Sequence, residues 1–194
     1  MKVAIVKYNA GNTGSVANAL RRLGVEPVIT DEIDELANAD KVIFPGVGEA
    51  STAMRHLHQT GLDRVIPSLT QPVLAICLGM QLLCSRSEEN DTRCLGILPY
   101  TVRPFPHQKL KVPHIGWNNL FDLSSSLFAG VEESAWAYFV HGYYLGECEE
   151  AVASSEYGDR FTAAVVKNNF VGVQFHPEKS GAVGARIIRN FLEI

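Results

Sequence analysis

Runs of consecutive apolar residues, each followed by a segment of helical spacing, constrain this chain more than any other feature. Val3-Ala4-Ile5-Val6, Pro27-Val28-Ile29, Val42-Ile43-Phe44 and Val73-Leu74-Ala75-Ile76 show no polar alternation. Strands of this kind need cover on both faces, the condition met by a parallel sheet between two helical layers. The segments between them supply the cover. Val16, Leu20 and Leu23 recur at helical spacing after Gly11-Asn12-Thr13, and Gly24 marks the stop. Ile33 and Leu36 suggest a short helix, residues 51–59 and 62–69 two more, and residues 78–86 another after the fourth run. Pro45 is expected to stop the third strand. The rhythm predicts an α/β fold: an open, mostly parallel twisted sheet with flanking helices.

The second half changes character. Residues 95–98, 101–103, 135–140, 152–155, 161–166 and 171–175 read as short strands between Gly or Asn turns, with Asn168-Asn169 as a hairpin turn. These predict extra antiparallel strands. Residues 185–192 place Ile187, Ile188, Phe191 and Leu192 on one face and predict a docking helix. No repeat, low-complexity tract or linker interrupts the chain, and its 194 residues suit one sizeable core, so a single domain over 1–194 is expected.

Composition narrows the function classes. A net charge of -4 without a basic stripe disfavours nucleic acid. No apolar run approaches the roughly 20 residues of a membrane span, and the start, Met1-Lys2-Val3, turns polar too soon for a signal peptide. Cys77, Cys84, Cys94 and Cys148 lack CxxC spacing and are too few for a disulfide scaffold, so a reducing cytoplasm is expected. The last three read as small buried hydrophobes.

Cys77 has a different context. It ends the fourth apolar run and opens Leu78-Gly79-Met80-Gln81-Leu82-Leu83, with small residues two positions to either side. This is the pattern of a strained strand-to-helix turn that presents a nucleophile. The dipole of the following helix favours a thiolate, and the Leu78 N–H is placed to donate to an oxyanion. On those five residues alone, a cysteine that simply ends a buried strand is the slightly better fit. Nearly a hundred residues on, Gln174-Phe175-His176-Pro177-Glu178 follows another apolar strand. His176 would then share with Cys77 the carboxyl edge of the sheet, where open α/β folds bind ligands. Glu178 can reach back to hold the imidazole tautomer. Pro45-Gly46-Val47-Gly48 ends the third strand as a loop whose Val47 or Gly48 N–H could complete an oxyanion hole; a plain turn is its bland alternative. Gln81 lies one helical turn beyond Cys77 and is a candidate for holding a polar substrate. Glu89, placed near the end of the same helix, is a candidate for a substrate ammonium, with a solvated surface as the default.

These motifs together resemble the class I (triad) glutamine amidotransferases. Pro45-Gly-Val-Gly48, Cys77-Leu-Gly-Met-Gln81 and Phe175-His-Pro-Glu178 carry the class resemblance. Pro113-His-Ile-Gly-Trp-Asn118, Tyr138-Phe-Val-His141, Tyr143 and His176-Pro-Glu-Lys-Ser180 make the chain similar, over essentially its whole length, to the glutaminase subunits of imidazole glycerol phosphate synthases of histidine biosynthesis. The resemblance implies that Cys77 forms a γ-glutamyl thioester, that His176 acts as acid and base, and that Glu178 orients it. Gln81 and Glu89 would bind glutamine, and Leu78 with the Val47–Gly48 loop would stabilise the oxyanion. It implies no metal or organic cofactor, and a (β/α)8-barrel cyclase partner met through Asn12, Trp117, Tyr138 and Lys179. Two departures stand out. Ala75 replaces a frequent glycine two residues before the nucleophile. Gly142 follows His141 where relatives often carry Ser or Thr, which puts one glutamine contact in doubt. A subunit of another amidotransferase pathway, a silent binding module on the same fold and a stand-alone hydrolase are the competing readings.

Overall fold

The computed structural model describes residues 1–106 and 110–194. Thirteen strands and six helices follow one another along these residues: β1 (Val3–Val6), α1 (Thr13–Arg22), β2 (Val28–Thr30), α2 (Ile33–Ala37), β3 (Lys41–Gly46), α3 (Ala50–Thr60), α4 (Leu62–Ser68), β4 (Val73–Cys77), α5 (Leu78–Leu83), β5 (Cys84–Ser87), β6 (Thr92–Arg93), β7 (Leu98–Pro104), β8 (His114–Asn119), β9 (Trp136–His141), β10 (Tyr143–Tyr144), β11 (Ala151–Tyr157), β12 (Asp159–Lys167), β13 (Phe170–Val173) and α6 (Gly181–Glu193). Short 3-10 turns lie at Glu89–Asp91, Ser126–Phe128 and Pro177–Lys179. No helix among the described residues is long and apolar enough to cross a membrane.

The main sheet has seven strands in the order β11-β12-β13-β4-β3-β1-β2. Five of them, from β13 to β2, run parallel, and β12 and β11 add an antiparallel edge. The apolar runs are explained by two cores. In β1, Ala4 and Val6 pack with Met54 and Leu57 of α3, while Val3 and Ile5 pack on the other face with Leu20 of α1. Each residue of β1 is therefore buried whichever way its side chain points, whereas the run in β2 departs from the expectation: β2 lies at the sheet edge, and its Val28 and Ile29 are exposed. Phe139, Ile187 and Phe191 join the second core, so α6 and β9 cover the same face as α1.

Between the fourth parallel strand and the antiparallel edge, the chain forms a smaller sheet, in the order β10-β7-β5-β6, and the antiparallel ribbon β8-β9. The Asn168-Asn169 hairpin is present: Lys167 pairs with Phe170, and Asn168 takes φ 54°. Three expectations need correction. Pro45 lies inside β3, opposite Ile76. The β1 ladder on the other side of β3 ends at Ile43, so that side asks for no donor at Pro45. The helix after Cys77 ends at Leu83, not Arg86; Cys84 turns extended and begins β5, which pairs with β7. Only Cys84 among the residues of β5 is apolar, so no helical period held them, and pairing with β7 decided their extended form. Residues 95–98 are not a separate strand; β7 starts at Leu98 and continues through 101–103.

Candidate active site

β3, β4 and β13 bring the motifs together because their parallel register aligns their carboxyl ends. Gly46 pairs with Cys77, and Val173 pairs with Ile76, so the residues that follow β13 emerge beside Cys77. Cys77 adopts φ 54°, ψ -111°. An L-residue held there stores on the order of 1–3 kcal/mol of strain. The turn is possible because Gly79 lets α5 approach β3 closely: a Cβ on Gly79 would lie 2.2 Å from the Phe44 carbonyl oxygen. Ala75, the departure from glycine, is fully buried in β4 with ordinary strand pairing, so the elbow forms without a glycine there.

The thiol is 5% exposed and opens on a cavity of about 230 Å3. Val47, Gly48, Leu78, Gln81, Glu89, Gly142, His176 and Lys179 line the same cavity. Eight of the other twelve site residues named from the sequence thus meet Cys77 in one place. Cys77 Sγ lies 3.6 Å from the Val140 carbonyl oxygen, positioned to donate to it as a thiol.

His176 Nδ1 lies 2.9 Å from Glu178 Oε1, and both side chains are almost fully buried. The proline between them belongs to the turn Pro177–Lys179, which holds the two side chains in register. Burial alone would depress the imidazole pKa. The charge and hydrogen bonding of the Cys77 sulfur, then those of Glu178, outweigh it and push His176 up to about 10. His176 is thereby favoured as an imidazolium facing the Cys77 sulfur. Glu178 Oε2 has no hydrogen-bond partner among the described residues, leaving the imidazole as its one polar contact. β9 fixes the turn from above: His176 N–H donates to the Tyr138 carbonyl at 2.8 Å, and Tyr138 N–H donates to Ser180 Oγ at 2.9 Å.

The Val47 N–H donates to the Ala10 carbonyl, so the expected oxyanion donor is directed away from the thiol in this structure. Leu78 begins α5 immediately after Cys77, as the sequence predicts. Glu89 is not on that helix. It sits in the turn Glu89–Asp91 beyond β5, and its Oε2 accepts the Ala50 N–H at 2.7 Å. Together with Glu49, whose carboxylate accepts from Ser51 and Thr52, it caps the start of α3. Burial raises the Glu89 pKa, with the Ala50 N–H acting against it. Gln81 is buried, with Nε2 2.9 Å from the Tyr143 carbonyl and 3.0 Å from Gln174 Oε1. Gly142 has φ outside the left-handed region, and a Cβ there would meet nothing closer than 3.5 Å. A Cβ would fit there in ordinary contact with Val112, so neither backbone conformation nor a clash at that atom explains the glycine.

The remaining candidates lie outside the cavity wall. Asn12 caps α1, its side chain accepting from the Ser15 N–H at 3.4 Å. Trp117 is 52% exposed and packs edge-on against Tyr138 at 5.8 Å between centroids. Ile115 and Trp136, both exposed, share this outer face of the β8–β9 ribbon, and β9 also delivers Val140 to the cavity.

Sequence reasoning missed three groups. Gln174 is fully buried and its Nε2 lies 3.7 Å from Cys77 Sγ; its signal was a single polar residue inside an apolar strand. His114 and His141 form a buried pair, Nδ1 to Nε2 at 3.1 Å, stacked among Phe105, Phe139, Tyr144, Tyr157 and Phe161. Burial pushes His114 down to about 4, and burial, helped by the neighbouring His114 and His176, pushes His141 down to about 3. Tyr8 has a buried hydroxyl without a partner among the described residues, and burial, with the Cys77 charge, raises its pKa strongly.

Comparison with known proteins adds to this geometry. Residues 4–194 match the glutamine amidotransferase class-I family. The chain is 55% identical to a Bacteroides thetaiotaomicron protein described as imidazole glycerol phosphate synthase subunit HisH, and 56% identical to a Bacteroides fragilis protein of the same description; in both cases the whole of each chain is covered. Among solved structures, a putative GMP synthase subunit from Thermoplasma acidophilum superposes with a TM-score of 0.76 at 22% identity, covering 100% of this chain and 93% of that one. That likeness speaks for the fold alone.

Proposed function

Because this chain belongs to the glutamine amidotransferase class-I family, we propose that it is the glutaminase subunit of an imidazole glycerol phosphate synthase. It hydrolyses glutamine to glutamate and ammonia and passes the ammonia to a separate (β/α)8-barrel cyclase subunit for histidine biosynthesis. The observation that carries the chemistry is a thiol on a strained elbow sharing one small cavity with a buried imidazole–carboxylate pair. The two Bacteroides relatives, matched end to end, support the finer assignment.

The Cys77 thiolate adds to the side-chain carbonyl of glutamine, and the carbonyl π electrons move to oxygen. As the tetrahedral intermediate collapses, the C–N bond breaks. His176, the imidazolium, gives its proton to the departing nitrogen, which leaves as ammonia. A γ-glutamyl thioester remains. Neutral His176 then takes a proton from water, hydroxide adds to the thioester, and the C–S bond breaks to release glutamate and restore the thiolate–imidazolium pair. Glu178 holds the imidazole orientation throughout. No metal or organic cofactor takes part.

The oxyanion is held by the Leu78 N–H and by an N–H from the Val47–Gly48 segment. Because the Val47 N–H is bonded to Ala10 in this structure, rotation of that segment is the activating step. Gly46 and Gly48 flank it, and Gly48 already sits at φ +96°. The double cap from Glu49 and Glu89 anchors the far end of the segment and confines the motion to the loop. Gln81, Glu89 and the Gly142 backbone line the glutamine site. The outer face of β8–β9, with exposed Trp117 against half-buried Tyr138, meets the cyclase beside the cavity mouth, together with Lys179 of the cavity wall and Asn12 at the start of α1. All four cysteines are unbridged, which supports a reducing, cytoplasmic setting.

The test is ammonia release from glutamine, measured with and without the cognate cyclase and its nucleotide ligand. Turnover is expected to rise strongly in the complex. Cys77→Ala and His176→Ala are expected to abolish it with unchanged circular dichroism. Ammonia release by purified Cys77→Ala complex would remove the assignment, and a free chain as fast as the complex would remove the gating.

A further inference from the structure

The register that pairs Val173 with Ile76 brings Gln174 beside Cys77 at the end of two adjacent strands. Gln174 is 0% exposed and is not part of the cavity wall. A buried side-chain amide is costly unless its polar atoms are bonded, and here the surrounding chain fixes which atom faces where. The Tyr143 carbonyl can only accept. Gln81 must therefore present Nε2 to it, at 2.9 Å. The same nitrogen then lies 3.0 Å from the Gln174 amide and requires an acceptor there, so Gln174 turns Oε1 to Gln81. Its Nε2 is left facing Cys77 Sγ at 3.7 Å. Inverting either amide would set two donors or two acceptors against each other.

We propose that Gln174 is a further catalytic residue of this site: a fixed, non-titrating N–H donor, oriented by Gln81 and Tyr143, that holds the Cys77 sulfur and favours its thiolate. The proposal rests on the glutaminase reading for its consequence in turnover, but its chemistry concerns the sulfur alone. As a thiol, Cys77 donates to the Val140 carbonyl 3.6 Å away. Once ionised it has no proton to give, and that carbonyl oxygen becomes an unfavourable neighbour. The Gln174 N–H gains strength at the same moment, because a hydrogen bond to an anion is about twice as strong as one between neutral groups. The titratable groups facing the sulfur are His176 from the end of β13, His141 from β9 and Tyr8 from the segment after β1, with Glu89 and Lys179 across the cavity and Glu178 behind His176. Gln174 differs from all of them in carrying no proton that changes with pH.

The experiment is the pH dependence of iodoacetamide alkylation at Cys77, read by mass spectrometry of the peptide that contains it, in the full chain and in Gln174→Met and Gln81→Met. Thiolate is the reactive form. Loss of the donor is expected to raise the alkylation midpoint by about one pH unit in Gln174→Met, a roughly tenfold lower rate below the midpoint. Gln81→Met, which frees the Gln174 amide to rotate, is expected to raise it by less. In the assembled synthase, Gln174→Met should lower kcat while KM for glutamine is kept, since Gln174 does not line the cavity. A midpoint moved by less than about 0.2 pH unit in folded Gln174→Met overturns the proposal, even if its thermal stability falls. If that variant does not fold, the Gln81→Met midpoint decides by the same criterion. The alkylation needs neither glutamine nor partner, so failure of the glutaminase reading would appear separately, in the ammonia assay.

Discussion

Gly184→Ala is the substitution whose effect the structure fixes most tightly. Gly184 lies in the first turn of α6, donating its N–H to the Ser180 carbonyl at 3.1 Å. A Cβ at this position would lie 1.9 Å from the Pro177 carbonyl oxygen, 2.7 Å from the Pro177 carbonyl carbon and 2.9 Å from Ser180 Cβ. The obstacle is backbone, so no rotamer change relieves it. Restoring an ordinary carbon–oxygen contact of about 3.4 Å means parting the two by about 1.5 Å. Either α6 or the Pro177–Lys179 turn must move. α6 is pinned by Ile187, Ile188 and Phe191 in the core; the turn carries Glu178 and begins right after His176. A shift of that size takes the 2.9 Å His176–Glu178 contact well beyond hydrogen-bonding reach. Overpacking costs about 1–3 kcal/mol, against a helix-propensity gain of at most about 1 kcal/mol. The variant should therefore lose about 1–2 kcal/mol, a fall in Tm of roughly 2–8 °C for a chain of this size. Glutaminase turnover in the complex should drop about a hundredfold. Gly14→Ala is the control: Gly14 lies in α1, where an added Cβ would meet nothing within 4 Å, so the same change should leave stability equal or up to about 1 kcal/mol higher. Denaturant melts and ammonia release measure both. Full turnover with an unchanged Tm in Gly184→Ala would refute the reasoning.

Two further outcomes follow from the buried polar groups. His114 and His141 are held below the ordinary imidazole range, so the unfolded chain binds protons that the folded chain refuses between about pH 6.5 and their folded values near 4 and 3. Their contribution is complete above about pH 6.5 and is lost as pH falls; His141 alone should cost on the order of 2 kcal/mol between pH 7 and pH 5. Denaturant midpoints that do not fall over that interval would contradict this. His176 acts in the opposite sense: its raised value contributes stability fully below about pH 6.5 that fades as pH climbs through about 10. Tyr8→Phe removes a buried hydroxyl that has no partner among the described residues, so the free chain should become about 1 kcal/mol more stable. A loss of that size in equilibrium unfolding would show that the hydroxyl is satisfied after all.

Much of the parallel sheet was legible in the chain itself, because a strand covered on both faces must be apolar at every position, and β1, β3 and β4 are largely so. The elbow was legible for a related reason: small residues around Cys77 are a local requirement of a local turn. Glu178 was readable from its two-residue spacing to His176. What local pattern could not settle were the choices made by distant pairing. β5 and Glu89 left the helix expected for them because β7 offers Cys84 and its neighbours a ladder. Pro45 stayed within β3 because the β1 ladder had already ended. Gln174 read as one polar residue in a strand until register set it against Cys77, and the outward aim of the Val47 N–H depends on a carbonyl 37 residues earlier, that of Ala10. Sequence determined which residues need burial, a turn or a charge partner, since these are properties of a residue and its neighbours. Tertiary structure decided which atoms meet, because hydrogen-bond direction and register are fixed only when separate strands share one sheet.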